Sequence, residues 1–101
     1  MQDDIDPAAR AKRRKEKTDE ARQELRAEAF EFVELMDLRS GRNVVHRMLS
    51  KAGVYHTTFA LDPYQTAFNE GQRNMGLWML SQVLQYTPEQ YALMLKENAD
   101  V

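Results

Sequence analysis

Apolar side chains recur at helical spacing through the middle of the chain. Four of them are separated by four, three and four positions: Leu25, Ala29, Phe32 and Met36. That spacing places them on one face of a helix. Asp6 and Pro7 form a favourable helix start, because Asp caps a helix and Pro suits its first turn. Neither Pro nor Gly interrupts residues 8–38, so the pattern predicts a first helix over residues 7–39.

A second helix is predicted over residues 41–52, with Ser40 as its cap. Its inner face carries Val44, Val45, Met48, Leu49 and Ala52. Gly53 follows at the position where a left-handed residue ends many helices. The connector after it is rich in apolar side chains, namely Val54, Tyr55, Phe59 and Leu61. We therefore expect the connector to pack against the core as a lid.

Two further helices begin at prolines. The third is predicted over residues 63–85, after the capping residue Asp62, and the fourth over residues 88–97, after Thr87. One face of the third helix carries Tyr64, Ala67, Phe68, Gly71, Met75, Trp78, Met79 and Val83. A second face carries Leu77, Leu80 and Leu84, and the inner residues of the fourth helix are Tyr91, Met94 and Leu95. Because the second half of the third helix is apolar nearly all round, we expect it to be central.

The third helix also contains two glycines, each of which costs roughly 1 kcal/mol relative to Ala inside a helix. Gly71 falls between Phe68 and Met75 on the predicted inner face. We therefore expect Gly71 to let a neighbouring helix approach closely. Gly76 has no such place in the pattern.

Together these elements predict an all-α protein, a small bundle of about four helices from which a long charged N-terminal helix projects. The apolar face of the first helix does not continue before Leu25, because Arg22 and Lys15 occupy the corresponding positions. We therefore divide the chain into a charged, partly basic helical arm, residues 1–24, and a helical domain, residues 25–101.

Charge is uneven along the chain, although the net charge is only −2. Residues 10–26 hold eight bases and four acids. Most of the bases stand in one run: Arg10, Lys12, Arg13, Arg14, Lys15 and Lys17. We interpret this run as a contact for DNA phosphates, a contact for an acidic protein surface, or a solvated charged helix. Interleaved acids and the lack of an accompanying aromatic residue weaken the case for DNA.

Several kinds of chemistry have no candidate residues. The chain contains no Cys, so it has neither disulfides nor a thiol nucleophile. His46 and His56 stand ten positions apart, outside any metal-binding motif. No Gly-rich phosphate loop, no Ser–His arrangement and no apolar run of about 18 residues is recognisable. We therefore expect no enzyme activity, metal, cofactor or membrane contact.

The segment from Glu70 to Leu80, EGQRNMGLWML, resembles the signature of a known family. This is a small family of tailed-phage proteins, named after a short protein of the Bordetella tropism-switching podophage. The similarity extends over residues 28–97, through Gly41-Arg42 upstream and Pro88 downstream, and leaves the basic run outside. The resemblance implies a gene of the head-assembly region, and hence a virion or packaging component.

Four polar residues belong to the matching segments: Arg42, Glu70, Arg73 and Asn74. Glu70 and Arg73 are three positions apart and can pair on one helix. Either arginine can instead bind an acid of the first helix, such as Glu34 or Asp37. We expect an ion-pair network that joins the first three helices. The alternative is an arginine fork that faces a carboxylate or phosphate of a partner.

The resemblance, together with the lack of candidate catalytic residues, implies a non-enzymatic structural or assembly protein of a tailed bacteriophage. We expect it in the virion, at the head interior or the portal and head-to-tail vertex, and in the host cytoplasm during assembly. Its expected partners are the portal or other head and tail proteins, further copies of itself, and DNA in a non-specific contact. The alternative function is a nucleic-acid-binding accessory in DNA packaging or regulation.

Overall fold

The computed structural model describes residues 6–99, which form four α-helices and no strand. The helices are α1 (Pro7–Asp37), α2 (Arg39–Lys51), α3 (Pro63–Tyr86) and α4 (Pro88–Glu97). These bounds lie within two residues of the predicted ones. The all-α class and the long N-terminal helix are therefore confirmed.

The chain divides into two compact units, one ending at Phe30 and the other beginning at Glu31. The first unit is the N-terminal part of α1, in which charged residues and alanine prevail. Leu25 lies in this unit and is 56% exposed. Among residues 6–99 the buried apolar side chains all lie in the second unit, so Leu25, although it lies on the predicted apolar face of the first helix, is not a core residue. The first five residues of the predicted arm lie outside the described residues.

The core of the second unit consists of six buried apolar side chains: Met36, Val45, Leu49, Val54, Val83 and Met94. Each of the four helices contributes at least one of them. Partly buried side chains surround this centre, namely Phe32, Ala52, Leu77, Met79, Leu80 and Tyr91. The ring of Phe32 lies 6.2 Å from that of Tyr86, so the last turns of α1 pack against the end of α3. So small a core stabilises a chain only modestly.

A single extended residue, Leu38, separates α1 from α2. Leu38 occupies the N-cap position, and no side chain caps the helix, so the prediction that Ser40 caps α2 is wrong. The tight corner depends on Gly41 instead. A Cβ atom at Gly41 would overlap the backbone carbonyl of Leu35. Glycine therefore lets the first turn of α2 pass close to the last turn of α1.

The end of α2 follows its prediction. Gly53 has a φ of +78°, and the N–H of Val54 donates to the carbonyl of Leu49 at 3.3 Å. This is the left-handed termination that glycine favours after a helix.

The connector between α2 and α3 is not the apolar lid that we predicted. Val54 is buried, but Tyr55, Phe59 and Leu61 are exposed. Polar contacts attach the connector to α3 instead: the Thr66 hydroxyl bonds the backbone of Ala60, and the Asn69 amide donates to the carbonyl of Thr58. Because these bonds satisfy the connector's backbone, it stays in place without burying its apolar side chains.

The start of α3 is confirmed together with its cap, whereas α4 begins at Pro88 as predicted but has no side-chain cap. The carboxylate of Asp62 accepts from the N–H of Tyr64 at 3.0 Å, which is the predicted cap. Thr87 is buried and does not cap α4. Its hydroxyl donates to the carbonyl of Val83 at 2.9 Å. The hydroxyl therefore satisfies the last turn of α3 rather than the first turn of α4.

Of the two glycines of α3, it is Gly76 and not Gly71 that packs closely against another part of the fold. Gly76 is buried, and a Cβ atom there would lie 2.6 Å from side-chain carbons of both Ala52 and Val54. A Cβ atom at Gly71 would meet nothing within 4 Å. Gly76 is therefore the residue at which α3 approaches the end of α2. The prediction that Gly71 serves this purpose is wrong, because Gly71 lies on the exposed side of α3, whereas Gly76 and Val83 face the core.

Alanine substitutions at Gly76 and Gly71 should change the free energy of unfolding in opposite directions. We expect Gly76→Ala to lower the free energy of unfolding by about 1–2 kcal/mol, because overpacking against two stiff side chains outweighs the gain in helix propensity. We expect Gly71→Ala to raise it by up to about 1 kcal/mol, because nothing opposes that gain. Urea denaturation at submicromolar concentration measures both. Equal effects of the two substitutions would contradict this orientation of α3.

Candidate functional site

Arg42 is the best-connected polar residue of the matching motif. It is only 8% exposed, and its Nε and Nη2 donate to the two carboxylate oxygens of Glu97 at 2.7 and 3.0 Å. Its Nη1 donates to the backbone carbonyls of Met36 and Asp37 at 2.9 and 3.1 Å. One guanidinium on α2 thereby joins the last turn of α1 to the last residue of α4. This fork-to-fork geometry is the arrangement in which arginine binds a carboxylate best.

Each member of this pair shifts the ionisation of the other. The hydrogen bond from Arg42 lowers the pKa of Glu97, against the opposing effect of burial. The hydrogen bond to Glu97 raises the pKa of Arg42, again against burial. Arg39 adds a longer contact to the same carboxylate, at 3.4 Å, from a side chain that is 72% exposed. Both groups are therefore held in their charged forms, and the ion pair stabilises the fold.

The other three polar residues of the motif do not join Arg42. The hydroxyl of Thr58 donates to Glu70, and the buried Nε of Arg73 has no hydrogen-bond partner within residues 6–99. Asn74 is exposed. The predicted network of all four residues is wrong, because Arg42 faces the ends of α1 and α4 whereas Glu70 lies beside the connector.

One side of α3 is exposed although most of its residues are apolar. The exposed fractions are 87% for Tyr64, 61% for Phe68, 66% for Met75 and 56% for Trp78. Gly71 stands midway among them with open space above it. We call Tyr64, Phe68, Gly71, Met75 and Trp78 the α3 apolar face. The prediction that these residues line the core is wrong, and their exposure makes this face a candidate contact surface.

The basic run lies on the first unit, in α1. Five of its side chains are exposed, and Arg13 is partly buried and interacts with a neighbouring group. The spacing of the run places Arg10, Arg13, Arg14 and Lys17 along one side of the helix. Lys12 and Lys15 point to another side, towards the positions of Arg22 and Arg26. The run is therefore divided into two narrow stripes rather than one patch.

The described residues contain no arrangement that holds a metal ion. Within residues 6–99, no three His, Asp or Glu side chains lie close enough together to bind one. His46 is partly buried and His56 is exposed. No helix in that range is both long and apolar enough to cross a bilayer.

Sequence reasoning missed two features of this site. Glu97 is 55 positions from Arg42, and no local spacing links the two residues. The α3 apolar face did show in the sequence as a helical pattern, but that pattern does not say whether the face points inward or outward. A second apolar face on the same helix, through Leu77 and Leu80, was the available sign that one of the two had to remain outside.

Comparison with known proteins adds one match. The family model described as Bbp19-like phage protein matches residues 30–96, which include the last two turns of α1, all of α2 and α3, and α4 except its last residue. The resemblance drawn from the segment around Glu70 is thereby confirmed. No curated protein and no solved structure matches the chain.

Lysine in place of Arg42 or of Arg39 tests the carboxylate clamp, by which we mean the hydrogen bonds of Arg42 to Glu97 and to the last carbonyls of α1. We expect Arg42→Lys to lower the midpoint of thermal unfolding clearly, because a single ammonium group cannot bond both oxygens of Glu97 and two carbonyls. Arg39→Lys is the matched control and should change the free energy of unfolding by no more than about 0.5 kcal/mol. Circular dichroism melting measures both. If the two variants were equally stable, the clamp would not be holding the helices together.

Proposed function

Since the chain belongs to the Bbp19-like phage protein family, we propose that it is a non-enzymatic structural or assembly protein of a tailed bacteriophage. The observation that carries the proposal is the family match over residues 30–96. Family membership supports a role in a phage particle or a phage-infected cell. The finer role rests on which side chains remain available for contact.

The charged residues of the motif support a structural role. Arg42 is occupied by Glu97 and by two backbone carbonyls, and Glu70 is bonded to Thr58. These groups stabilise the fold and are not poised to react with a substrate. The surfaces that remain available for contact with other molecules are the α3 apolar face and the basic side chains of α1. A protein that works by binding other proteins needs surfaces of this kind.

The proposed place is the head interior or the portal and head-to-tail vertex. Portal and other head or tail proteins are the proposed partners, and the protein would be made in the host cytoplasm and carried into the virion. No cofactor and no membrane contact enter this proposal. Its small core favours the same view, because docking on a larger assembly adds stability that so small a domain lacks.

Mass spectrometry of purified virions tests this function. We expect peptides of this chain in particles that have been banded twice in a density gradient and treated with protease to remove adhering protein. A phage enzyme that acts only in the infected cell is the control for contamination. Absence of the chain from particles that contain portal protein would overturn the structural role.

A second function, nucleic-acid binding during packaging or regulation, is favoured by the side of α1 that carries Arg10, Arg13, Arg14 and Lys17. Four bases at this spacing match a row of phosphates without reading sequence. The acids interleaved along the same helix oppose it. We therefore place this function behind the structural one.

DNA binding should show the signature of counterion release if this second function operates. Four phosphate contacts predict a loss of affinity of roughly 100-fold between 50 and 200 mM salt. Arg10→Gln with Arg14→Gln should abolish the binding, whereas Arg22→Gln with Arg26→Gln, on another side of the helix, should leave most of it. Fluorescence anisotropy with a labelled duplex measures these affinities. Absence of binding at 50 mM salt would exclude the second function.

A further inference from the structure

Among the described residues of the second unit, 31–99, nothing covers the α3 apolar face, and its residues suit one particular occupant. We infer that two copies of this chain pair through this face, with their α3 helices antiparallel and crossing at Gly71. The inference does not depend on where the protein acts in the phage. It concerns the purified chain, and its test is separate from the search for the protein in virions.

The spacing of the face indicates that the partner is a helix. Tyr64, Phe68, Gly71, Met75 and Trp78 follow one another at intervals of four, three, four and three. These are the intervals of the contact positions in paired helices, where two residues in every seven meet the partner. The face spans two such repeats inside the regular helix Pro63–Tyr86. A helix of the same spacing is therefore its natural complement.

The arrangement about Gly71 indicates that the partner helix is a second copy. Tyr64 lies seven positions before Gly71 and Trp78 seven positions after it, which is roughly 10 Å in each direction. Phe68 and Met75 lie three before and four after. An antiparallel copy centred on Gly71 therefore places Tyr64 beside Trp78 of the other chain, and Phe68 beside its Met75. Large side chains meet at both ends, and the two glycines meet in the middle.

Glycine at the centre gives the crossing its space. A Cβ atom at Gly71 would meet nothing within 4 Å, so the folding of a single chain gives no reason for a glycine there. The residue costs roughly 1 kcal/mol relative to Ala in a helix interior. Close approach of a second backbone is a use that explains this cost. Gly76, by comparison, already has its close neighbours inside the fold.

The polar surroundings of the face fit a copy better than a charged partner. The residues that flank it along both sides are uncharged: Gln65, Ala67, Gln72, Asn74 and Ser81. A surface that meets itself across a two-fold axis brings like charges together, and these flanks carry none. Charged side chains are likewise depleted at the centres of protein interfaces. The arm of this chain is a poor occupant, because its residues are mostly charged.

The exposed area is adequate for a stable pair. Aromatic side chains bury about 150–250 Å² each, so the exposed fractions of Tyr64, Phe68 and Trp78 leave roughly 300–500 Å² uncovered per chain. A standard interface covers about 800 Å² per partner. Met75 and the uncharged flanks supply the remainder. The result is an apolar centre with a polar rim, which is the usual composition of an interface.

The first experiment measures the mass of the full-length chain in solution by light scattering after size exclusion. We expect the wild type to be a dimer at tens of micromolar. Gly71→Glu should be a folded monomer, because the open space accepts the side chain in one chain whereas two facing carboxylates repel each other. Ala92→Glu adds the same charge at an exposed position of α4 and should remain a dimer. A wild-type monomer, or a Gly71→Glu dimer, would overturn the inference.

The second experiment tests the direction of pairing by disulfide formation. The chain contains no Cys, so a single introduced cysteine reports only its own contact. We expect Gly71→Cys to cross-link to its copy under a mild oxidant, because the two positions meet at the crossing. Tyr64→Cys should not, because antiparallel copies hold these positions roughly 21 Å apart. Cross-linking of Tyr64→Cys would contradict the antiparallel arrangement.

These two measurements also cover a failure to fold. Circular dichroism shows whether Gly71→Glu keeps the helical content of the wild type. If it does not, the Gly71→Cys result decides alone, because cysteine is small and meets open space at this position. Absence of the cross-link in a folded Gly71→Cys variant would then overturn the proposed crossing.

Discussion

The structure depends on the close approach of α3 to the end of α2 at Gly76. With only a hydrogen where other residues carry a side chain, α3 comes within contact of Ala52 and Val54. This contact decides which side of α3 turns inward. Val83 then enters the core, with Leu77 and Leu80 packed against it. The α3 apolar face, from Tyr64 to Trp78, therefore stays exposed. The packing of Gly76 thus determines which surface is available for the pairing of two chains that we propose.

A second constraint closes the far side of the fold. Arg42 bonds the carboxylate of Glu97 and the last carbonyls of α1, which would otherwise lack partners at the helix end. A buried arginine is costly unless it is paired and hydrogen-bonded, as Arg42 is here. Arg42 and Gly76 therefore meet requirements of the fold, while Gly71 and Asn74 lie on the outer surface. This division separates the residues that hold the domain together from those available for assembly.

The helices themselves could be predicted from the sequence, because Asp62 with Pro63, Pro88, and Gly53 mark their ends by local chemistry. The inward face of α3 could not, since both of its faces are apolar and periodicity alone does not rank them. The partner of Arg42 could not either, because no spacing rule connects positions so far apart in the chain. Exposure of the connector was missed for a related reason. Apolar composition suggested burial, whereas hydrogen bonds through Thr66 and Asn69 hold the segment in place.

We expect the α3 apolar face to point outward in the single chain and to be covered in the pair. Trp78 is the only tryptophan, so quenching of its fluorescence by acrylamide over a dilution series measures the exposure of this face directly. We expect ready quenching at nanomolar concentration and protection at tens of micromolar, with Gly71→Glu quenched readily throughout. Strong protection of Trp78 in the dilute single chain would mean instead that this face of α3 is turned to the core, and the proposed pairing would be wrong.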